Sequence, residues 1–318
     1  MKKLGSILLV LAVAGTVLAA ANAGSLASGK AKPKGKAFCK RTASNAKPYV
    51  VAHGKVSALK PADISPVPSG GCPKTVMTAA AAGTPFTVQL TGEAESPAGD
   101  PVATGAGTFR LRKGQGQVCY QLSATNLPPA AAAHIHNGAA GVSGPVVVPL
   151  FTPGADGKSS GCIGAARAIV AAILKSPASY YANVHTAEFA GGAIRGQLAG
   201  SSANLGTSFS IDLKGSTEPN AKGTAVVRVR KDAGVVCYRL HADSVTLPTV
   251  AAHIHRGGPT VNGPVVVPFQ APGATGNSDG CATAQPAIID EILANPANFY
   301  VNVHTTEHPA GAMRAQLG

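Results

Sequence analysis

A block of about 119 residues occurs twice in this chain, so its fold must be one that a domain-sized unit can form alone and then repeat. Val118-Cys119-Tyr120 returns as Val236-Cys237-Tyr238, an offset of 118 residues. Ala133-His134-Ile135-His136 returns as Ala252-His253-Ile254-His255, an offset of 119. Gly161-Cys162 returns as Gly280-Cys281, and residues 86–90 return as 209–213. A period of this size describes a tandem pair of domains rather than a solenoid. The domains are expected at 83–200 and 204–318, behind a segment at 24–82.

Within each block the hydrophobic pattern is that of strands. Residues 86–90, 104–111 and 118–122 alternate apolar and polar side chains, as a half-buried strand must. Residues 114–116 read as the hairpin turn between the last two. Val146-Val147-Val148 is a short buried strand, followed by a Gly/Ser loop that reaches Cys162. Residues 165–175 place Ile169, Ile173 and Leu174 on one helical face, and Pro286 suits the first turn of the matching helix at 286–294. Residues 180–186 and 193–198 are the last strands. With 38 Gly and 24 Pro between such runs, the fold class is all-β: two tandem Greek-key or Ig-like β-sandwiches, each with one short helix.

The histidines are the residues with chemistry to offer. In a strand, residues i and i+2 share a face, so His134 and His136 present two imidazoles side by side. His185 follows His134 by 51 residues, on a segment read as a strand; His253, His255 and His304 repeat the set with the same spacing. Six of the nine His fall in this pattern, while His241 and His308 have no counterpart. His53 stands alone in the N-terminal segment and reads as structural or exposed. Three imidazoles suit zinc or copper. Two other readings stay open: rings that brace the sheet through hydrogen bonds, and a pocket for an anion at acid pH. Asn183 and Asn302 share the strand face of the third His. Glu188 and Glu307 follow it by three residues and are candidate acceptors for an imidazole N–H. Arg195 and Arg314 follow it by ten, placed either to pair with that Glu or to face an anion. Tyr120 and Tyr238 read as packing groups.

The first residues, Met1-Lys2-Lys3 and an apolar run ending in Ala21-Asn22-Ala23, read as a secretory signal at 1–23 with no transmembrane segment remaining after cleavage. Six cysteines in an exported chain imply disulfides. The repeat narrows the fifteen pairings to Cys119–Cys162 and Cys237–Cys281, leaving Cys39–Cys72 to loop the N-terminal segment. Of the net charge of +13, residues 24–80 carry ten Lys/Arg against Asp63 alone, so the basicity lies outside the repeats. Such an arm suits an anionic cell-envelope polymer or an unknown extracellular protein. Nucleic acid is not an expected partner, since no recognition motif accompanies the charge.

Ala133-His134-Ile135-His136, Gly144-Pro145-Val146-Val147-Val148, Tyr181-Ala182-Asn183-Val184-His185-Thr186 and Gly192-Ala193-Ile194-Arg195-Gly196-Gln197-Leu198 together resemble the CHRD domain, first named from chordin. The second copy carries the same pieces, departing at Ala315 where the first has Gly196. The resemblance covers residues 83–318 and implies an extracellular β-sandwich module; it names a domain type and not an activity. A second, remoter resemblance is to copper/zinc superoxide dismutase, in which a His-x-His strand, a later strand His and a following Arg surround copper. It would give those parts to His134, His136, His185 and Arg195. No bridging His or His/Asp zinc set accompanies them, and residues 141–158 offer only Asp156. That resemblance implies a mononuclear copper site with an open position. The expected function is an exported binding module with a three-His copper or zinc site per domain. The alternatives are a dismutase-like copper enzyme and a structural or adhesive envelope protein.

Overall fold

The computed structural model describes residues 36–41, 49–54, 84–200 and 204–318. The signal expectation, most of the basic segment and Cys72 lie outside them. β1 (Lys36–Arg41) and β2 (Tyr49–Gly54) form an antiparallel pair. Cys39 is buried and disulfide-bonded, and His53 is exposed.

The first large domain comprises β3 (Thr84–Thr91), β4 (Thr104–Arg112), β5 (Gln117–Thr125), β6 (Ala130–Asn137), β7 (Val146–Leu150), β8 (Lys158–Gly164), α1 (Arg167–Lys175), β9 (Tyr180–Thr186) and β10 (Ile194–Gln197). Its eight strands make one antiparallel sheet in the order β7-β6-β9-β10-β3-β4-β5-β8. The edge strands β7 and β8 approach each other, so the sheet curls into a barrel-like wall around a single core. The second domain repeats this with β11 (Thr207–Gly215), β12 (Lys222–Arg230), β13 (Val235–Asp243), β14 (Ala251–Arg256), β15 (Val265–Phe269), β16 (Asn277–Thr283), α2 (Pro286–Ala294), β17 (Phe299–His304) and β18 (Met313–Gln316), in the order β15-β14-β17-β18-β11-β12-β13-β16. The all-β expectation holds. Among the described residues, no helix is long and apolar enough to cross a membrane.

Period-two alternation decides which side chains enter the core. On β4, Phe109 and Leu111 point inward while Thr108, Arg110 and Arg112 point out. On β6, Ala133 and Ile135 are core residues, so His134 and His136 must lie on the outer face of the wall. On α1, the buried residues are Val170 and Ile173, with Ile169 and Leu174 packed beside them. Burial of each of these two side chains contributes roughly 1.5–3 kcal/mol, enough to seat a nine-residue helix.

The segment before α1 needs correction. The Gly/Ser stretch that reaches Cys162 is a strand, β8, paired with β5 in a register that sets Cys162 opposite Cys119. It reads as a loop in sequence because an edge strand with a wet outer face tolerates Ser and Gly. The disulfides Cys119–Cys162 and Cys237–Cys281 therefore join direct cross-strand neighbours.

Candidate metal centre

Pairing of β6 with β9 brings the three histidines together. The register sets His134 opposite Asn183 and His136 opposite Tyr181, with His185 opposite Ala132, all on the outer face. Ring centroids lie 5.4 Å apart for His134–His136, 5.1 Å for His134–His185 and 5.9 Å for His136–His185. The second domain gives 5.5, 5.1 and 5.8 Å for His253–His255, His253–His304 and His255–His304. In each set, one nitrogen per ring lies within 4.8 Å of the others. A bulge between Ile135 and His136, and its match between Ile254 and His255, adjusts the second ring of each pair.

Hydrogen bonds assign the nitrogens. His136 Nδ1 donates to Gly144 O at 2.8 Å, and His185 Nδ1 donates to Ala190 O at 2.9 Å. A carbonyl can only accept, so Nε2 of both rings carries the lone pair. His185 Nε2 faces His134 Nδ1 at 3.2 Å. His136 Nε2 is buried with no partner among the described residues, and so is His255 Nε2. The second site repeats every bond: His255 to Gly263 O, His304 to Pro309 O, and His253 Nδ1 against His304 Nε2. Burial, then the neighbouring imidazoles, pushes His134 down to about 4. Burial likewise lowers His185, His253 and His304. These rings are neutral at pH 7, the state a metal ligand requires.

The donor set His134 Nδ1, His136 Nε2, His185 Nε2 fits a divalent ion. Metal–nitrogen bonds of about 2.0–2.1 Å need donors roughly 3–4 Å apart, which the His134–His185 pair already satisfies. The buried lone pair on His136 is a group that costs free energy unless something accepts it. All-imidazole ligation suits zinc or copper.

The groups behind the rings differ from the sequence expectation. Glu188 and Glu307 are exposed, and backbone carbonyls accept the imidazole N–H bonds instead. The turn after β9, closed by Phe189 N–H to Thr186 Oγ1 and Gly192 N–H to Phe189 O, carries the Ala190 carbonyl to the ring and Glu188 away from it. Arg195 neither pairs with Glu188 nor faces an anion. It is buried, and its donors go to Val142 O, Ala139 O and Gln197 Oε1. Its guanidinium lies 3.4 Å from the centroid of Tyr181. Tyr181 in turn stacks on His136 at 4.8 Å, with 6° between the planes. Tyr181 sits on β9 between the strands of the other two residues, so Arg195 acts on His136 only through the tyrosine ring. Arg314, Tyr300 and His255 repeat the stack.

Asn183 is buried between His134 and Arg195 in the strand register. It hydrogen-bonds Glu95, a buried carboxyl that desolvation pushes up to about 7 against the pull of Arg195 and Asn183. Asn302 instead donates to Ala310 O. Sequence reasoning did not single out Tyr181, Gly144 or Glu95. Their signal was retention in both copies, as Tyr300, Gly263 and Glu218.

Gly144 is fixed by space. A Cβ there would stand 1.6 Å from Asn137 O, and at Gly263 it would stand 1.5 Å from Arg256 O. Gly144→Ala is expected to push the 138–144 loop off the strand end and carry the Gly144 carbonyl away from His136. Titration of the variant should show metal binding at the first site weakened about 10- to 100-fold, as for loss of a group that orients a ligand, with the second site unchanged.

A family model of the CHRD domain matches residues 86–198 and 203–317. No curated protein matches the chain. The two matches span the two barrel-like sheets with their histidine triads, and on this evidence the chain belongs to the CHRD-domain family.

Proposed function

We propose that this is an exported binding protein that holds one copper or zinc ion in each CHRD domain. His134, His136 and His185 supply the first site; His253, His255 and His304 supply the second. The observation that carries the reading is the buried, unpartnered Nε2 of His136 and of His255, each held in that tautomer by a carbonyl on the other nitrogen. His134 and His185 remain half-exposed, so an ion could enter from solvent. When bound, the ion would act as a Lewis acid at the outer face of the wall. The chain's own part is to hold His136 and His185 with Nε2 free, each through a carbonyl on Nδ1, and to set His134 beside them.

Disulfide pairing in both domains, and a family of extracellular type, support export. The excess positive charge of residues 24–80 is the surface for an anionic envelope partner in this reading. A dismutase-like activity is disfavoured, because Arg195 and Arg314 spend their donors on carbonyls behind a tyrosine. Metal-stripped protein loaded separately with copper and zinc, then desalted for elemental analysis, should retain two ions per chain. Retention of none would end the proposal.

The pH dependence follows from the lowered imidazoles. An unfolded chain takes up protons near pH 6.5, whereas folded His134 does so only near 4. The metal-free fold is therefore expected to lose stability as pH falls from 6.5 toward 4. At the first site, protons compete with the ion for His134 only toward its folded value of about 4, so its hold on the ion is expected to outlast a fall in pH through 6.5. Release already centred near pH 6.5 would show rings with ordinary basicity.

A further inference from the structure

The two sites are alike in their ligands but not in what lies behind them. Between β3 and β4 the first domain carries residues 92–103; the corresponding stretch of the second, 216–221, is shorter. The longer loop is held from two sides.

On one side it touches the rim of the first site. Asp100 N–H donates to Ala193 O at 2.9 Å, and Ser143 Oγ donates to Ser96 O at 2.7 Å. The Glu95 carboxylate packs on Gly192, where a Cβ would stand 2.3 Å from it, and hydrogen-bonds Asn183. Ser143 neighbours the Gly144 carbonyl that orients His136. Gly192 lies two residues beyond the Ala190 carbonyl that orients His185.

On the other side the second domain grips the same loop. Arg228 on β12 is fully buried. It donates to both Glu93 carboxylate oxygens, at 3.2 and 3.1 Å, and to Pro101 O at 3.1 Å. Its Nε donates to Leu205 O at 2.6 Å. Arg230 adds a second cation on Glu93 at 3.0 Å. Arg239 on β13 binds the buried Asp100 through Oδ2, and Asn126 O at 2.9 Å. The other Asp100 oxygen accepts Val102 and Ala103 N–H. A fork-shaped donor on a carboxylate, desolvated on the arginine side, fixes geometry as well as charge. In the second domain, Ser216, Thr217 and Glu218 bond, among the described residues, to Gly311, Thr246 and His308 of their own domain.

We propose that Arg228 and Arg239 are positioning residues for the first metal site: the second domain clamps loop 92–103, and the loop braces the segments that carry the Gly144 and Ala190 carbonyls, which orient His136 and His185. The inference rests on the metal reading above. It makes the sites unequal and couples affinity at the first site to docking of the second domain.

The test uses the full chain in two backgrounds. His255→Ala leaves only the first site, and His136→Ala leaves only the second. Arg228→Ala with Arg239→Ala is expected to raise the zinc Kd of the first site at least about tenfold, the lower end for lost outer support of a ligand. The zinc Kd of the second site should not move. Glu93→Gln with Asp100→Asn serves if the arginine variants do not fold, since Asn keeps the acceptor for Val102 and Ala103. In the metal-free chain, either pair should speed hydrogen exchange at Val102, at Ala103 and at residue 100, whose N–H bonds Ala193 O, while leaving the amides of 216–221 unchanged. An unchanged first-site Kd, or equal weakening of both sites, overturns the coupling. If wild-type chain binds neither zinc nor copper, the metal reading fails and the coupling with it; unchanged exchange at Val102 and residue 100 would then remove the clamp as well.

Discussion

His136→Ala is expected to remove one of the two metal ions proposed for each chain and leave the other, and His255→Ala to do the reverse. Each variant deletes the one ring in its site whose free nitrogen is buried without a partner. Two imidazoles remain, His134 and His185 or their counterparts, and two ligands hold an ion weakly. Loss of an orienting group alone costs about 10- to 100-fold in affinity, so loss of a ligand should exceed 100-fold. The double variant should retain none. The metal also reports on stability: at 100 times Kd, a bound ion stabilises the fold by about 2.7 kcal/mol, an increment each single variant should lose at one domain only. Two ions retained in the double variant would place the binding elsewhere.

Cys119→Ala with Cys162→Ala lowers stability of the first domain by about 4 kcal/mol, because the bridge closes a loop of 43 residues in the unfolded chain. The folded side changes little, since β5 and β8 remain paired at six further positions around the cysteines. A loss of that size should lower the first unfolding midpoint by about 10 °C or more in calorimetry. The Cys237 and Cys281 pair should behave the same way in the second domain. A loss below about 1 kcal/mol would show that the unfolded chain is already compact around this loop.

The sequence carried the strands and the histidines because both depend on short-range periodicity. Alternation in 104–111 marked β4, and His-Ile-His could only put both rings on one face of β6. The repeat added what one copy lacks, a second instance of each spacing. What depends on distant contacts was not legible. Glu188 stood near enough in sequence to serve His185, yet the turn geometry presents the Ala190 carbonyl instead. Arg195 suited an anion site, yet Tyr181 lies between it and the rings. The polar composition of 158–164 concealed a strand whose pairing with β5 is decided by the sheet and the cystine. Arg228 reads as an ordinary outward-facing residue of an alternating strand, yet it is fully buried with its donors on Glu93, Pro101 and Leu205.

In this reading each triad is a ligand set with assigned nitrogens, and nitrogen-15 NMR of the histidine rings before and after zinc reads those nitrogens directly. His136 and His185 should be Nδ1–H tautomers in both states, held by Gly144 O and Ala190 O. His134 should change from Nδ1–H, donated to His185, to Nε2–H as its Nδ1 takes the ion. His253 should follow, with His255 and His304 unchanged. Three rings whose tautomers and shifts ignore added zinc, or an Nε2–H on His136, would contradict the account.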